Sequence, residues 1–115
     1  MAAASNVLGN GGPGEIKTGY YSGKSSSVAA QDTFPRGLAF SADGTKAYVG
    51  GDTNNTIYQY TLSTAWDIST GSYASKSLSV AAQDDGISGI VFSSDGTKIY
   101  MVGLATDAIY QYELL

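Results

Sequence analysis

Ser27-Val28-Ala29-Ala30-Gln31-Asp32 recurs residue for residue 52 positions later, as Ser79-Val80-Ala81-Ala82-Gln83-Asp84. The same offset places Asp43-Gly44-Thr45-Lys46 on Asp95-Gly96-Thr97-Lys98 without a gap. About half of all aligned pairs are identical, which is a strong internal repeat. A period of this length is typical of β-propeller blades, so the chain is predicted to contain two copies of one β unit.

Each unit contains four runs that are typical of β-strands. In the first copy they cover residues 37–41, 46–50, 56–62 and 73–80. Asp43-Gly44 between the first two runs predicts a tight hairpin, because glycine adopts positive φ without strain. Neither face of the runs is cleanly polar, as expected for sheets stacked on both sides. We therefore predict an all-β propeller with two four-stranded blades per chain; a β-sandwich would leave the repeat unexplained.

Composition agrees with this fold and excludes several functions. The 115 residues include 15 Gly and 9 Tyr, which favour strands and turns. Cysteine and histidine are absent, so disulfides, thiolate nucleophiles and the usual zinc ligands are excluded. The formal net charge is -4 and the six Lys and Arg residues are scattered, which argues against a nucleic-acid partner. No apolar stretch is long enough to span a bilayer, and no membrane partner is expected.

No catalytic constellation recurs in the two units. A nucleophile, a base and an orienting residue at suitable spacing are missing, so we predict neither an enzyme nor a cofactor. Residues 1–14 are small and polar, and we interpret them as a flexible amino-terminal arm without the features of a secretory signal. The two blade equivalents then occupy residues 15–115.

Two longer motifs carry a family resemblance. They are GLAFSADGTKAYV at residues 37–49 and IYQYTLSTAWDIST at residues 57–70. On these motifs the chain resembles the propeller repeats of marine bacterial and phage proteins and is similar to YVTN and NHL-like blades. The resemblance implies a scaffold or binding module, for example a virion accessory, tail or capsid surface protein, located on a virion or another extracellular surface.

Blades of this kind serve enzymes, lectins and scaffolds alike, so two alternatives stay open. One is a lectin-like, carbohydrate-binding propeller, since small two-blade lectins that assemble as trimers are similar in plan. This chain departs from them because it does not repeat a tryptophan and an arginine in each unit. The other alternative is a designed or recombined propeller fragment.

The repeat also predicts an assembly. Residues 20–30 align with the fourth strand of the first unit, while the second unit has only three strands. We expect the amino-terminal strand to complete a blade of a neighbouring chain, because proteins cover open strand edges. A head-to-tail ring follows, six-bladed as a trimer or, second, eight-bladed as a tetramer. The partner is then the chain itself, with other virion proteins or glycans as further candidates.

Two loops of each unit are expected on one face of the propeller, where the copies differ most. Divergent loops on a constant scaffold are where binding specificity resides. The candidate ligand-binding residues on these loops are Asp32, Phe34, Arg36, Asp52, Asn54, Asn55, Asp84, Asp85 and Asp107. Phe34 and Arg36 suit a sugar ring, a carboxylate or a partner chain. The alternative is that Arg36 pairs with an acidic neighbour.

Asp32 and Asp84 are candidates for calcium ligands, although such residues more often cap turns through the backbone. We predict no metal site. Trp66, on the opposite face, is a secondary candidate for stacking on a sugar, and we expect burial between units instead.

Overall fold

The computed structural model describes residues 13–114 and confirms the all-β class, with 45% strand and 6% helix. Sheet 1 is antiparallel and contains β1 (Pro35–Phe40), β2 (Lys46–Gly51), β3 (Thr56–Leu62) and β4 (Gly71–Ser79), in that order. Sheet 2 is antiparallel and contains β5 (Ile87–Phe92), β6 (Lys98–Gly103) and β7 (Ala108–Glu113). The predicted flexible arm lies outside the described residues except for its last two positions.

The strands of sheet 2 begin at the positions that the repeat predicts from β1, β2 and β3. Two short 3-10 turns, Ile16–Thr18 and Ile68–Thr70, are separated by the same 52 positions. The predicted outer strand at residues 20–30 is the exception, since this segment belongs to neither sheet. Its residues are exposed except for Val28, which packs against sheet 1.

The hairpin prediction at Asp43-Gly44 is confirmed. Gly44 has a φ of 75° and Gly96 has a φ of 76°, the left-handed conformation in which a Cβ would be strained. The Asp43 carboxylate accepts hydrogen bonds from the backbone N–H of Thr45 at 3.0 Å and from the Ser41 hydroxyl at 2.9 Å. These bonds join β1 to β2 through a turn that the second unit repeats.

Two apolar clusters lie on opposite sides of sheet 1. The cluster between the two sheets contains Ile57, Val80, Ile87, Ile90, Ile99 and Met101. The cluster on the other side contains Ala47, Val49, Tyr58, Tyr60 and Leu62, with Val28, Phe40 and Ile68 packed against it. Both sides of sheet 1 are therefore apolar, which explains why its strands show no clean alternation in the sequence.

Candidate functional site

Asp32 joins two of the predicted site loops. Its Oδ1 accepts from the backbone N–H of Phe34 at 2.8 Å and of Thr53 at 3.2 Å, and its Oδ2 from that of Asn54 at 2.9 Å. The residue is only 3% exposed. A Cβ at Gly51 would overlap the Asp32 carboxyl group, so a glycine is required there. This carboxylate therefore holds the two loops against each other.

Asp84 does the same in the second unit. It accepts from the backbone N–H of Gly86 at 2.7 Å, from that of Thr106 at 2.8 Å and from the Thr106 hydroxyl at 2.6 Å. A Cβ at Gly103 would overlap its carboxyl group. The aspartate and the glycine opposite it are thus a repeated structural pair.

The electrostatics of both carboxylates follow from these bonds. Burial raises the pKa of Asp32, but the backbone N–H groups of its two loops outweigh burial and hold that pKa below its usual range. The Thr106 hydroxyl, together with backbone N–H groups, lowers the pKa of Asp84 despite its burial. Both groups are ionised at neutral pH with their oxygens already occupied. These bonds support the turn-capping alternative for Asp32 and Asp84, and ligand binding by the two residues stays a prediction.

Phe34 and Arg36 lie together as the sequence suggested. The Arg36 guanidinium carbon is 4.9 Å from the centroid of the Phe34 ring, and Phe34 is 52% exposed. Arg36 also pairs with Asp52, at 3.8 Å between Nη1 and Oδ2. The other Asp52 oxygen is buried and has no hydrogen-bond partner within residues 13–114. An exposed aromatic face, a guanidinium and a carboxylate thus share one corner of the loop face.

The remaining loop candidates are divided between structural and free groups. The Asn54 amide donates to the Gln31 carbonyl and the Tyr58 hydroxyl, both at 2.9 Å, so it braces its turn. The Asn55 amide faces the backbone carbonyl of Asp85 at 2.8 Å and donates to it, which connects the loops of the two units. The side chains of Asp85 and Asp107 are exposed on this face.

Within the single chain Trp66 is not buried between the two units, because 62% of its surface is exposed. Its ring covers Gly44, where a Cβ would overlap it, and lies 5.4 Å from the Phe40 ring between centroids. Trp66 therefore covers the end of the β1–β2 hairpin and remains partly open to solvent.

An apolar groove on sheet 1 was not predicted from the sequence. The groove has a volume of about 340 Å³ and lies on the side turned away from sheet 2. Val28, Pro35, Leu38 and Val49 are among its lining residues. Apolar residues occur on both faces of β1 and β2, so the sequence predicts an apolar face here without showing whether another element covers it.

No protein-family model matches the chain, and no curated protein matches it. Within residues 13–114 no helix has the length and apolar character needed to cross a membrane. No group of three acidic residues in that range is arranged to hold a metal ion. The structure therefore defines an all-β protein of two antiparallel sheets, related to each other by an internal repeat.

Proposed function

We propose that this chain is a non-catalytic scaffold or binding module that assembles with copies of itself into a closed β-propeller ring. Each sheet is one blade of this ring. Residues 19–28, named here the leading segment, form the outer strand of sheet 2 in a neighbouring copy. The ring that we favour contains three chains and six blades, with four chains and eight blades as the second possibility.

The conformation of the leading segment carries this proposal. It follows a 3-10 turn as β4 does, and Gly19 donates its N–H to the Ile16 carbonyl as Gly71 does to Ile68. Gly23 has a φ of 81°, at the repeat position of Ser75, whose φ is 60°. Ser75 lies where the register of β3 and β4 shifts. The segment thus has the backbone shape of an outer strand, including the positive φ at the bulge position, and no strand of residues 13–114 pairs with it.

The unpaired edge of β7 is the strand edge with which the leading segment of a neighbouring copy would pair. In the described part of the chain β7 pairs with β6 alone, whereas its counterpart β3 pairs on both sides. When the β3–β4 register is shifted by the repeat period, Ser27 faces Ala108 and Ser25 faces Tyr110 of the neighbouring copy. Each new backbone hydrogen bond contributes about 0.5 to 1.5 kcal/mol, so several such joints stabilise a ring.

The mass of the particle in solution tests the ring directly. We expect light scattering after size-exclusion chromatography to give about three times the chain mass of 11.9 kDa. Four times that mass would favour the eight-bladed ring. A single-chain mass at micromolar concentration would contradict the proposal.

The role that we propose for the ring is a scaffold on a virion or another extracellular surface. This setting rests on the resemblance of the repeat to phage and marine bacterial blades. A closed ring presents several identical copies of its loop face, which suits multivalent attachment to other virion proteins.

Carbohydrate binding is the second candidate, favoured by the exposed Phe34 ring beside Arg36. We expect a glycan array to give a signal that Phe34→Ala with Arg36→Ala removes, because a sugar loses both its stacking surface and its guanidinium partner. Thr33→Ala is the matched control on the same loop and should keep the signal, because Thr33 is exposed and is not a candidate ligand-binding residue. An array without any signal would leave the scaffold as the function, and equal losses of binding and melting temperature would make the pair structural.

A further inference from the structure

Each sheet has one apolar side that the other sheet does not cover. The front face, on sheet 1, is the side that contains the groove described above. The back face, on sheet 2, is the side turned away from sheet 1. Four residues of the back face are Val91, Tyr100, Val102 and Ile109, and they line a shallow depression. Ile109 is 74% exposed.

We propose that the front face of one copy binds the back face of a second copy, in the arrangement by which the two sheets of one chain pack. This inference rests on the proposed ring and names its contact surface. The interface within the chain is the template, because the repeat assigns a counterpart to each of its contacts. Three kinds of contact can be transferred in this way.

The first contact is a close approach of the inner strands. A Cβ at Gly37 would lie 3.1 Å from the Gly89 Cα and 3.1 Å from the Ile90 nitrogen, so the β1 and β5 backbones touch there. Gly37 and Gly89 are also each other's counterparts in the repeat. We name the proposed contact between the back face of one copy and the front face of the next the second joint. At this joint Gly89 of one copy meets Gly37 of the next, and again neither position has a side chain that would block the approach.

The second contact is an aromatic pair. The rings of Tyr48 and Phe92 lie 4.2 Å apart between centroids, tilted by 36°. Their counterparts at the second joint are Tyr100 and Phe40, which conserve both ring types. Aromatic pairs of this geometry contribute beyond the area they bury, so the second joint has the same specific interaction.

The third contact is a match of volumes. Within the chain, a Cβ at Gly50 would lie 2.9 Å from the Ile87 Cγ2, so a small residue faces a large one. At the second joint the counterparts are Val102 and Pro35, and the larger residue is now on the opposite side. Protein interiors are packed to nearly constant density. Where two surfaces meet, a larger residue on one side is therefore expected opposite a smaller residue on the other.

The same exchange extends along both faces. Within the chain, the small Ala39 and Gly50 face sheet 2, where the larger Ile99 and Met101 lie buried. On the front face the counterparts of Ile99 and Met101 are the smaller Ala47 and Val49. On the back face the counterparts of Ala39 and Gly50 are the larger Val91 and Val102. The small front face therefore fits the large back face of a second copy.

Ile109 has a defined place at this joint. Its counterpart Ile57 is buried in one cluster with Val80, Ile87 and Ile90. The repeat positions of those three residues are Val28, Pro35 and Leu38, which line the groove of the front face. The Ile109 side chain of one copy therefore fills the groove of the next.

A charge placed on Ile109 tests this surface. Ile109→Glu should raise the dissociation constant of the ring by at least about tenfold, because a carboxylate would be buried in an apolar groove. Leu104→Glu is the matched control, since Leu104 is equally apolar, exposed and outside the back face, and its counterpart Asp52 is already acidic. An unchanged circular dichroism spectrum will show that each variant is folded.

A pair of size changes separates contact across the joint from general destabilisation. Pro35→Ile should weaken the ring several-fold, because a larger residue meets Val102 of the neighbouring copy. Adding Val102→Gly should restore association, since it reproduces the pairing of Ile87 with Gly50. A double variant no tighter than Pro35→Ile would contradict the joint.

The outcomes for the ring and for its surface are distinguishable. A wild-type chain that stays single would contradict the ring itself. A wild-type ring that Ile109→Glu leaves as stable as Leu104→Glu does would contradict only the face-to-face joint, while the exchanged strand would remain in place.

Discussion

Two residues of the stretch that is identical in both copies, a glutamine and the aspartate after it, make equivalent hydrogen bonds in the two units. Gln31 accepts from the Tyr60 hydroxyl at 2.9 Å, and Gln83 accepts from the Tyr112 hydroxyl at 2.9 Å. The aspartate that follows each glutamine binds the backbone of two loops. Buried N–H groups that lose their acceptor cost about 1 to 3 kcal/mol, so a change in this stretch affects several loops together.

Acid should destabilise the fold through its turn aspartates. Hydrogen bonds from Thr45 and Ser41 lower the pKa of Asp43 from 3.8 to about 2, and those from Thr97 and Ser93 lower that of Asp95 to about 2. Because the folded-state pKa values are depressed, this stabilisation is present above pH 3.8 and is lost as the pH falls towards 2.

The melting temperature, measured by circular dichroism from pH 7 down to pH 2, should therefore be nearly constant at first and fall most steeply in that acid range. Asp95→Asn should remove part of the fall. Asp85→Asn is the control, because the exposed Asp85 does not cap a repeated hairpin. A melting temperature that stayed flat to the lowest pH would contradict this account of the turns.

At the scale of elements, β3 and β7 have nearly the same residues in different surroundings. Ile57 in β3 is 4% exposed, whereas Ile109 in β7 is 74% exposed. The difference arises because β4 and sheet 2 cover β3, while β7 has neither kind of neighbour among the described residues. The proposed ring would give β7 both of the neighbours that β3 has.

Cysteines at the strand joint test this proposal. Ser27→Cys with Ala108→Cys should form disulfides between chains, because the transferred register places these small residues opposite each other. A denaturing gel without reductant should then show multiples of the chain mass. Since the chain has no natural cysteine, no other disulfide competes.

The control for the cysteine pair lies within the chain. Thr56 faces Ser79 in the β3–β4 register, so Thr56→Cys with Ser79→Cys should give an internal link at the single-chain mass. Internal links alone in the Ser27 and Ala108 variant would mean that the leading segment folds back on its own chain.

For the whole molecule, two sheets in a short chain bury one interface between them and leave two apolar faces open. A small chain buries a limited fraction of its surface, and large exposed apolar patches mark interaction sites. The front and back faces differ in shape, so in the proposed ring two copies would meet head to tail and not through a two-fold axis. Repetition of a head-to-tail contact closes into a ring when its rotation allows.

Local patterns in the sequence determined the strands, the Asp-Gly hairpins and the period of the repeat. Each of these depends on residues close together in the chain, whose turn chemistry and strand-forming side chains are visible without a structure. Phe34 and Arg36 were also found in this way, because they are two positions apart in the chain.

Only the tertiary structure shows the hydrogen bonds of Asp32 and the exposure of Trp66 and Ile109. Asp32 binds N–H groups more than twenty residues away in the chain, which turn chemistry does not specify. Trp66 and Ile109 have the apolar side chains that are typical of a protein core. Their exposure therefore depends on which elements pack over them. The physical reason is that burial and hydrogen bonding arise from long-range contacts, so Ile57 and Ile109, which are identical in the repeat, differ in their exposure to solvent.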